Sequence, residues 1–291
     1  MFHLANFIDK KLVQTPYPIN KGFIIYEAIM GSRSYNCNNP NSDYDILGIC
    51  MPPLEYILPS TKGVFPNFGT NPYQFNNWEQ KKIFFNDKEY GFVIYNIVRF
   101  FDLALGSNPN FIELLFCPNV NITHINSIGH KIRDSRHLFL SKMCVHKMRA
   151  YAVSQLRKLE TKKPIGGRKE SYDKFGYDLK FAMNLMRLLL QTEQILLEKD
   201  LDIGRNGKLL FSIRNGEWEL EKLLDIATQK EKDIEKLILS SDLAAKTDEN
   251  RVKDLLIECI ELQYGKVADK LVIEDDNKKI LQEIKRLVEH V

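Results

Sequence analysis

The stretch Gly31-Ser32-Arg33-Ser34-Tyr35, followed by Ser42-Asp43-Tyr44-Asp45, decides how the rest of the sequence is interpreted. If residues 43–50 form a strand, its period of two places Asp43 and Asp45 on one face. Two neighbouring carboxylates repel each other unless a cation lies between them. We therefore expect a divalent metal at Asp43 and Asp45, and hard oxygen ligands of this kind favour Mg²⁺.

The Gly31-Ser32 turn precedes this pair and follows another strand candidate, residues 23–29. A glycine turn brings backbone N–H groups and the Ser32 hydroxyl against a phosphate. A phosphate-binding turn beside a metal-binding carboxylate pair is typical of phosphoryl or nucleotidyl transfer. The sequence therefore predicts that a nucleoside triphosphate is held at the turn while Asp43 and Asp45 hold Mg²⁺, with two ions expected in all.

Chemistry of this type normally uses a third carboxylate, which binds the second ion and takes the proton of the nucleophile. Asp87 and Glu89 are the candidates, and Glu113 is a more distant one. Asp87 follows Asn86 in a sequence that is common in turns. Glu89 begins a predicted strand, so we expect it to complete the catalytic set with Asp43 and Asp45.

Composition divides the chain into two parts. Residues 1–140 contain 23 of the 31 aromatic residues, which favours a β-rich domain, whereas residues 141–291 have the charge pattern of helices. We expect an α+β protein with a nucleotidyltransferase core at 1–140 and a helical domain at 141–291 that completes the nucleotide and acceptor site. The helices predicted in the second part span residues 131–160, 173–199, 217–239, 249–265 and 275–290.

The predicted helix 173–199 carries a polar stripe at helical spacing, made of Lys180, Asn184, Arg187, Gln191 and Gln194. One interpretation is a solvated helix face. The other is a phosphate clamp, because the stripe contains a lysine and an arginine but no acid. Both interpretations remain open from the sequence.

Several other classes are disfavoured. The sequence contains no P-loop and no Gly-x-Ser-x-Gly motif, which argues against a Walker-type NTPase and a serine hydrolase. Five scattered cysteines without a Cys-x-x-Cys pair are typical of reduced thiols. No run of about 18 apolar residues and no secretion signal is present, so we expect a cytoplasmic protein without a membrane partner.

At these motifs the sequence resembles the DNA polymerase β superfamily of nucleotidyltransferases, and within it the RNA-repair-associated group found in bacteria and phages. The resemblance rests on residues 31–35 and 42–48, on Asn108-Pro109 with Glu113-Leu114-Leu115, on the helix around Lys180 and Arg187, and on the stretch Ile213-Arg214-Asn215-Gly216-Glu217. It implies a mixed-sheet core, Mg²⁺ and a nucleoside triphosphate, but no particular acceptor. The acceptors that we consider are an RNA end, a protein hydroxyl and a small molecule. The nucleotide-binding residues that we predict are Gly31, Ser32, Arg33, Tyr35, Ser42, Lys180, Asn184 and Arg187.

Two positions depart from the pattern of this group. Asn184 stands where the family helix usually has histidine, and Gly91 stands where an acid is expected. Glu89 or Asp87 then substitutes from a shifted register, or the third carboxylate is missing. The alternative to an active enzyme is therefore a weak or inactive nucleotide-binding module.

Overall fold

One mixed sheet organises the first part of the protein. This computed structural model describes residues 2–59, 63, 69–70, 74–161, 167–270 and 286–288. The strands are β1 (Ile24–Met30), β2 (Tyr44–Cys50), β3 (Asn77–Phe85), β4 (Lys88–Asn96) and β5 (Ile122–Ile125). Their order across the sheet is β3-β4-β2-β1-β5. The strands β2 and β4 are parallel, and the other neighbouring pairs are antiparallel.

The period of the strands decides which side chains face which layer. On β2, Ile46 is buried with Leu4 and Phe7 of helix α1 (His3–Asp9), on one side of the sheet. Ile49 is buried in the larger core on the other side, together with residues of the C-terminal helices. Asp45 has the same parity as Ile49, so it lies on the helical side of the sheet.

Helices cover that side and continue to the C-terminal part. They are α2 (Leu54–Ile57), α3 (Ile97–Leu105), α4 (Pro109–Leu115), α5 (Ser127–Asp134), α6 (Lys142–Thr161), α7 (Gly167–Phe175), α8 (Leu179–Glu198), α9 (Gly207–Arg214), α10 (Leu220–Ser240), α11 (Glu249–Tyr264) and α12 (Val267–Lys270). The α+β class with additional C-terminal helices is confirmed. The larger core contains buried residues from both parts, such as Ile25 and Ile260, because α11 packs on α3 and α5, which lie against the sheet. In the described residues, no helix has the length and apolar character needed to cross a membrane.

Two predicted helices are wrong in their extent. The helix predicted at 131–160 is interrupted, because α5 ends at Asp134 and Ser141 accepts a hydrogen bond from the Cys144 amide at the start of α6. The helix predicted at 173–199 is divided at Gly176, whose φ is +81°. Asp178 then begins α8, because its side chain accepts hydrogen bonds from two amides of the first turn. The helix predicted at 275–290 lies largely outside the described residues.

Candidate active site

The Gly31 turn lies directly against the carboxylate of Asp45. Met30, the last residue of β1, pairs with Asp45 on β2, and residues 31–33 then form one turn of 3₁₀ helix. Gly31 has a φ of +68°, and a Cβ at this position would overlap with Asp45 Oδ2. Both the backbone conformation and the contact therefore require glycine.

Asp43 and Asp45 are exposed to the same cleft at the start of β2. The loss of hydration caused by nearby protein atoms raises the pKa of Asp45. The negative charge of Asp43 raises it further, whereas the ammonium groups of Lys180 and Lys81 oppose this effect. The structure thus brings together two carboxylates whose mutual repulsion a bound cation would relieve.

The cleft has a volume of about 640 Å³ and lies between the sheet and the helices. Its lining residues are Gly31, Ser32, Tyr35, Asn39, Asp43, Asp45, Asn110, Tyr151, Gln155, Asp178, Leu179, Lys180, Met183, Asn184, Arg187, Leu188 and Arg214. Eight of the eleven residues predicted for the site are among them. The other three, Arg33, Ser42 and Glu89, are not.

Arg33 and Ser42 organise the loop before β2 instead of lining the cleft. The Arg33 guanidinium lies 3.7 Å from the centre of the Tyr44 ring and donates hydrogen bonds to the carbonyls of Ser42 and Asp43, at 2.6 and 3.0 Å. The Ser42 hydroxyl accepts a hydrogen bond from the Asn39 amide at 3.0 Å. Both residues fix the loop that presents Asp43. Sequence spacing could not distinguish this structural role from a direct contact with nucleotide.

Lys180 enters the cleft at the first turn of α8. Asp178 accepts hydrogen bonds from the amides of Lys180 and Phe181, at 2.9 and 3.1 Å, and so fixes where the helix starts. The Lys180 side chain is exposed, and its charge acts on Asp45. An exposed ammonium at a helix N-terminus is a favourable place for a phosphate.

Arg187 lies seven residues after Lys180 on α8, and its environment differs from that of Lys180. Its guanidinium forms an ion pair with Glu113 of α4 and lies 4.5 Å from the centre of the Tyr35 ring. It also donates hydrogen bonds to Asn184 Oδ1 at 3.4 Å and to Gln191 Oε1 at 3.3 Å. The Tyr35 hydroxyl donates to Glu113 Oε2 at 2.6 Å. The interpretation of the stripe as a solvated face is wrong for Arg187, Gln191 and Gln194, which are buried, whereas Lys180 is exposed and Asn184 is partly exposed.

None of the three candidates for the third carboxylate lies beside the pair within the cleft. Asp45 pairs with Gly91 across the parallel strands, so the adjacent position on β4 has no side chain. Glu89 is two residues away and Asp87 is in the hairpin turn, with a φ of +57°. Glu113 is buried and bound to Arg187. In the described part of the chain, no group of three or more Asp, Glu, His or Cys side chains is placed to hold a metal ion.

The cleft also contains residues that were not predicted for the site. Tyr151 and Gln155 of α6 are one helical turn apart, and Asn110 belongs to α4. Arg214 of α9 donates a hydrogen bond to the Cys37 carbonyl at 3.1 Å. Arg214 is part of a stretch that resembles the family, so the sequence could have identified it as a candidate site residue. The α6 residues carry no local signal.

Comparison with known proteins identifies the family. The model of the RNA repair pathway DNA polymerase beta family matches residues 4–250. No curated protein matches significantly. A crystal structure of a nucleotidyltransferase-like protein from Exiguobacterium sibiricum 255-15 aligns with 84% of this chain and 72% of its own, at 11% identity and a TM-score of 0.29. A TM-score of that size does not establish a shared fold.

Proposed function

Because the chain belongs to the RNA repair pathway DNA polymerase beta family, we propose that it is a Mg²⁺-dependent nucleotidyltransferase. In this reaction an acceptor oxygen forms a bond to the α-phosphorus of a nucleoside triphosphate, and the bond to pyrophosphate breaks. The observation that carries the proposal is the meeting of the Gly31-Ser32 turn, the Asp43 and Asp45 carboxylates, and Lys180 at one cleft. A turn, a carboxylate pair and a cation are the parts that this chemistry needs.

The donor set fits a divalent cation. Asp43 and Asp45 supply hard carboxylate oxygens, and the absence of a Cβ at Gly31 leaves the Asp45 carboxylate room beside the turn. A bound Mg²⁺ would offset the negative charge that develops on the phosphates. Asp43 and Asp45 would hold it and orient it towards the turn.

The phosphates are assigned to the turn and to the start of α8. The Ser32 hydroxyl and the amides around it offer hydrogen bond donors, and Lys180 offers a charge on the opposite side of the cleft. Arg187 is assigned a positioning role, because Glu113 already neutralises its charge. It holds the Tyr35 ring at the wall of the cleft.

The acceptor is proposed from the family description alone. That description names RNA repair, so an RNA end is the first acceptor to test, followed by a protein hydroxyl and a small molecule. The test incubates the protein with an α-³²P-labelled triphosphate, Mg²⁺ and each acceptor, and measures label transfer and pyrophosphate release. We expect incorporation that stops when Mg²⁺ is chelated.

Two variants make this test specific. Asp45→Asn should reduce incorporation by more than about a hundredfold, since it removes a charge at the metal site. Asp225→Asn removes an exposed carboxylate on α10 and should leave the rate unchanged. Equal activity in the parent and in Asp45→Asn would exclude the proposed site.

The position opposite Asp45 favours a second candidate function. With Gly91 there, the protein would be a nucleotide-binding module with weak or no transfer activity. Calorimetry distinguishes the two candidates. The module predicts triphosphate binding that survives Asp43→Ala and Asp45→Ala, with no turnover by the parent protein.

A further inference from the structure

A bulge in the edge strand β3 places Lys81 over the glycine that faces Asp45. The register of β3 and β4 pairs Gln80 with Phe92 and then Ile83 with Tyr90, so two residues of β3 lie opposite Gly91 alone. The second of these residues, Lys82, has a φ of +58°, so the backbone leaves the extended conformation within the bulge. Bulges next to active sites often redirect a side chain.

The side chain that this bulge redirects is Lys81. A Cβ on Gly91 would lie 3.6 Å from Lys81 Cγ, so the lysine stem covers the position where a β4 side chain would stand. Lys81, Gly91 and Asp45 line one cavity of about 270 Å³ next to the cleft.

Glu113 and Glu79 near this cavity are already paired, and Glu89, two residues before Gly91 on β4, does not line it. Glu113 also lines it but forms an ion pair with Arg187 and accepts a hydrogen bond from Tyr35. Glu79 of β3 forms an ion pair with Lys81, but both side chains are largely exposed, so this weak surface pair leaves the Lys81 charge available, unlike the buried pair of Arg187. A second dication on this side of Asp45 would thus meet an ammonium group and, among the described residues that line the cavity, no carboxylate other than Asp45 itself and the ion-paired Glu113. An ammonium group beside this position disfavours the binding of a further cation.

We propose that this protein holds a single divalent cation, at Asp43 and Asp45, and that the Lys81 ammonium supplies the positive charge on the β4 side where a second ion would otherwise bind. The inference rests on the proposed function, since it concerns the same triphosphate site. Lys81 acts as an electrostatic group whose stem the bulge sets against Gly91. Gly91 itself supplies no carboxylate at this position.

The number of bound ions tests the inference without relying on activity. The full-length protein, in excess over an α,β-methylene triphosphate analogue, is titrated with Mn²⁺, and free Mn²⁺ is followed by electron paramagnetic resonance. We expect one Mn²⁺ for each bound analogue in the parent protein. Two ions for each analogue in the parent would overturn the inference, whatever the variants do.

Variants show whether Gly91 and Lys81 are responsible. Gly91→Asp combined with Lys81→Met should bind two Mn²⁺ for each analogue, because it replaces the ammonium with a carboxylate. The Gly91 contact distance is an ordinary one, so an added side chain fits, and circular dichroism checks that the variant folds. Lys82→Met, one residue further along the bulge, should keep one ion. A count that stays at one in the folded double variant would contradict the assigned role of these two residues.

Activity supplies an independent readout. Lys81→Met should reduce label incorporation about tenfold to a hundredfold, and Lys81→Arg should recover part of it, as expected for an electrostatic group. Unchanged incorporation in Lys81→Met would overturn its role. Calorimetry with the analogue separates the two proposals, because an analogue that does not bind contradicts the proposed function, and with it the inference. A bound analogue with two ions contradicts the inference alone.

Discussion

The guanidinium of Arg187 is ion-paired with the carboxylate of Glu113 in the protein interior, where the two side chains are 9% and 1% exposed. Arg187 belongs to α8 and Glu113 to α4, so the pair joins the C-terminal helices to the layer that covers the sheet. The Tyr35 hydroxyl donates to the same carboxylate, and the Tyr35 ring faces the guanidinium. The wall of the cleft therefore depends on a buried charge pair.

Removing one partner of this pair should be strongly destabilising. Arg187→Met leaves the Glu113 carboxylate buried without its counter-charge, and such losses cost about 3–5 kcal/mol. Urea unfolding followed by circular dichroism measures the change. Replacing both charges, in Arg187→Met with Glu113→Leu, should cost less than the sum of the single changes, because no charge is left unpaired.

An exposed ion pair provides the matched control. Arg205 and Glu198 are paired with side chains 46% and 43% exposed, so Arg205→Met should cost less than about 1 kcal/mol. If Arg187→Met and Arg205→Met lower the free energy of unfolding equally, the buried pair does not stabilise the fold in the way described.

The contrast between Lys180 and Arg187 shows what the sequence could predict. Helical spacing correctly placed both residues on one face of α8, and both line the cleft. Spacing could not show that Arg187 is neutralised, because Glu113 is distant in sequence and meets it only through tertiary packing. The sequence therefore predicts which residues line a site better than it predicts whether their charges are already neutralised.

The fold was predictable where the signal was local. Strands β1 and β2 have clear apolar runs, and Asn108 with Pro109 marks the start of α4. The bulge at Lys81 and Lys82 was not predictable, because only the pairing with β4 reveals that one residue is inserted. The same pairing places Gly91 opposite Asp45. The residue that departs from the family pattern is therefore the one that faces the proposed metal ligand.

Gly31→Ala should abolish activity while leaving most of the fold intact. The added methyl group would meet Asp45 Oδ2, so the carboxylate must move away from its position at the turn. We expect label incorporation to fall by more than about a hundredfold. Gly265→Ala is the control, because Gly265 also has a positive φ, of +80°, but a Cβ there meets no atom within 4 Å.

Both alanines place a side chain at positive φ, and Gly265, with a ψ of 179°, lies in a region essentially restricted to glycine. Gly265→Ala therefore carries backbone strain without the contact with Asp45. Comparing them separates strain from the contact with Asp45. Both variants are compared at equal folded fraction. If Gly265→Ala loses as much activity as Gly31→Ala, the loss comes from backbone strain, and the proposed role of the contact with Asp45 is contradicted.

The pKa of Asp45 predicts the pH dependence of activity and stability. Desolvation and the Asp43 charge raise this pKa, so Asp45 is protonated at a higher pH than an ordinary aspartate. Protons and metal compete for the carboxylate, so the acid limb of the pH–rate profile should move to lower pH as Mg²⁺ is increased. A limb that does not respond to Mg²⁺ would argue against Asp45 as a ligand.

The raised pKa of Asp45 affects stability in the opposite direction to the lowered pKa of an ion-paired aspartate. Because the folded-state pKa lies above the unfolded value, the ionised form opposes folding at neutral pH, and this penalty is lost as the pH falls through the folded-state pKa. Asp45→Asn should therefore be inactive yet slightly more stable at neutral pH, by less than about 1 kcal/mol since the side chain is accessible to solvent. Asp225→Asn, at an exposed position on α10, should show no such gain in urea unfolding.

Tyr151 should contact the nucleobase. It is 43% exposed although it is a large aromatic residue, and it lines the cleft together with Gln155, one turn along α6. An exposed ring beside an amide offers a stacking surface and a hydrogen bond to the base edge. Stacking of a base on an aromatic side chain contributes about 1–3 kcal/mol, so Tyr151→Ala should raise the Kd of the triphosphate about tenfold, with a smaller effect on the maximal rate.

Tyr151→Phe keeps the ring and should bind nearly as tightly as the parent, which separates stacking from a contact of the hydroxyl. Calorimetric titration with a triphosphate and with inorganic tripolyphosphate completes the argument. Tyr151→Ala should weaken the nucleotide but leave tripolyphosphate unaffected, because tripolyphosphate has no base. Equal losses for both ligands would place Tyr151 at the phosphates or in the structural framework of the cleft instead.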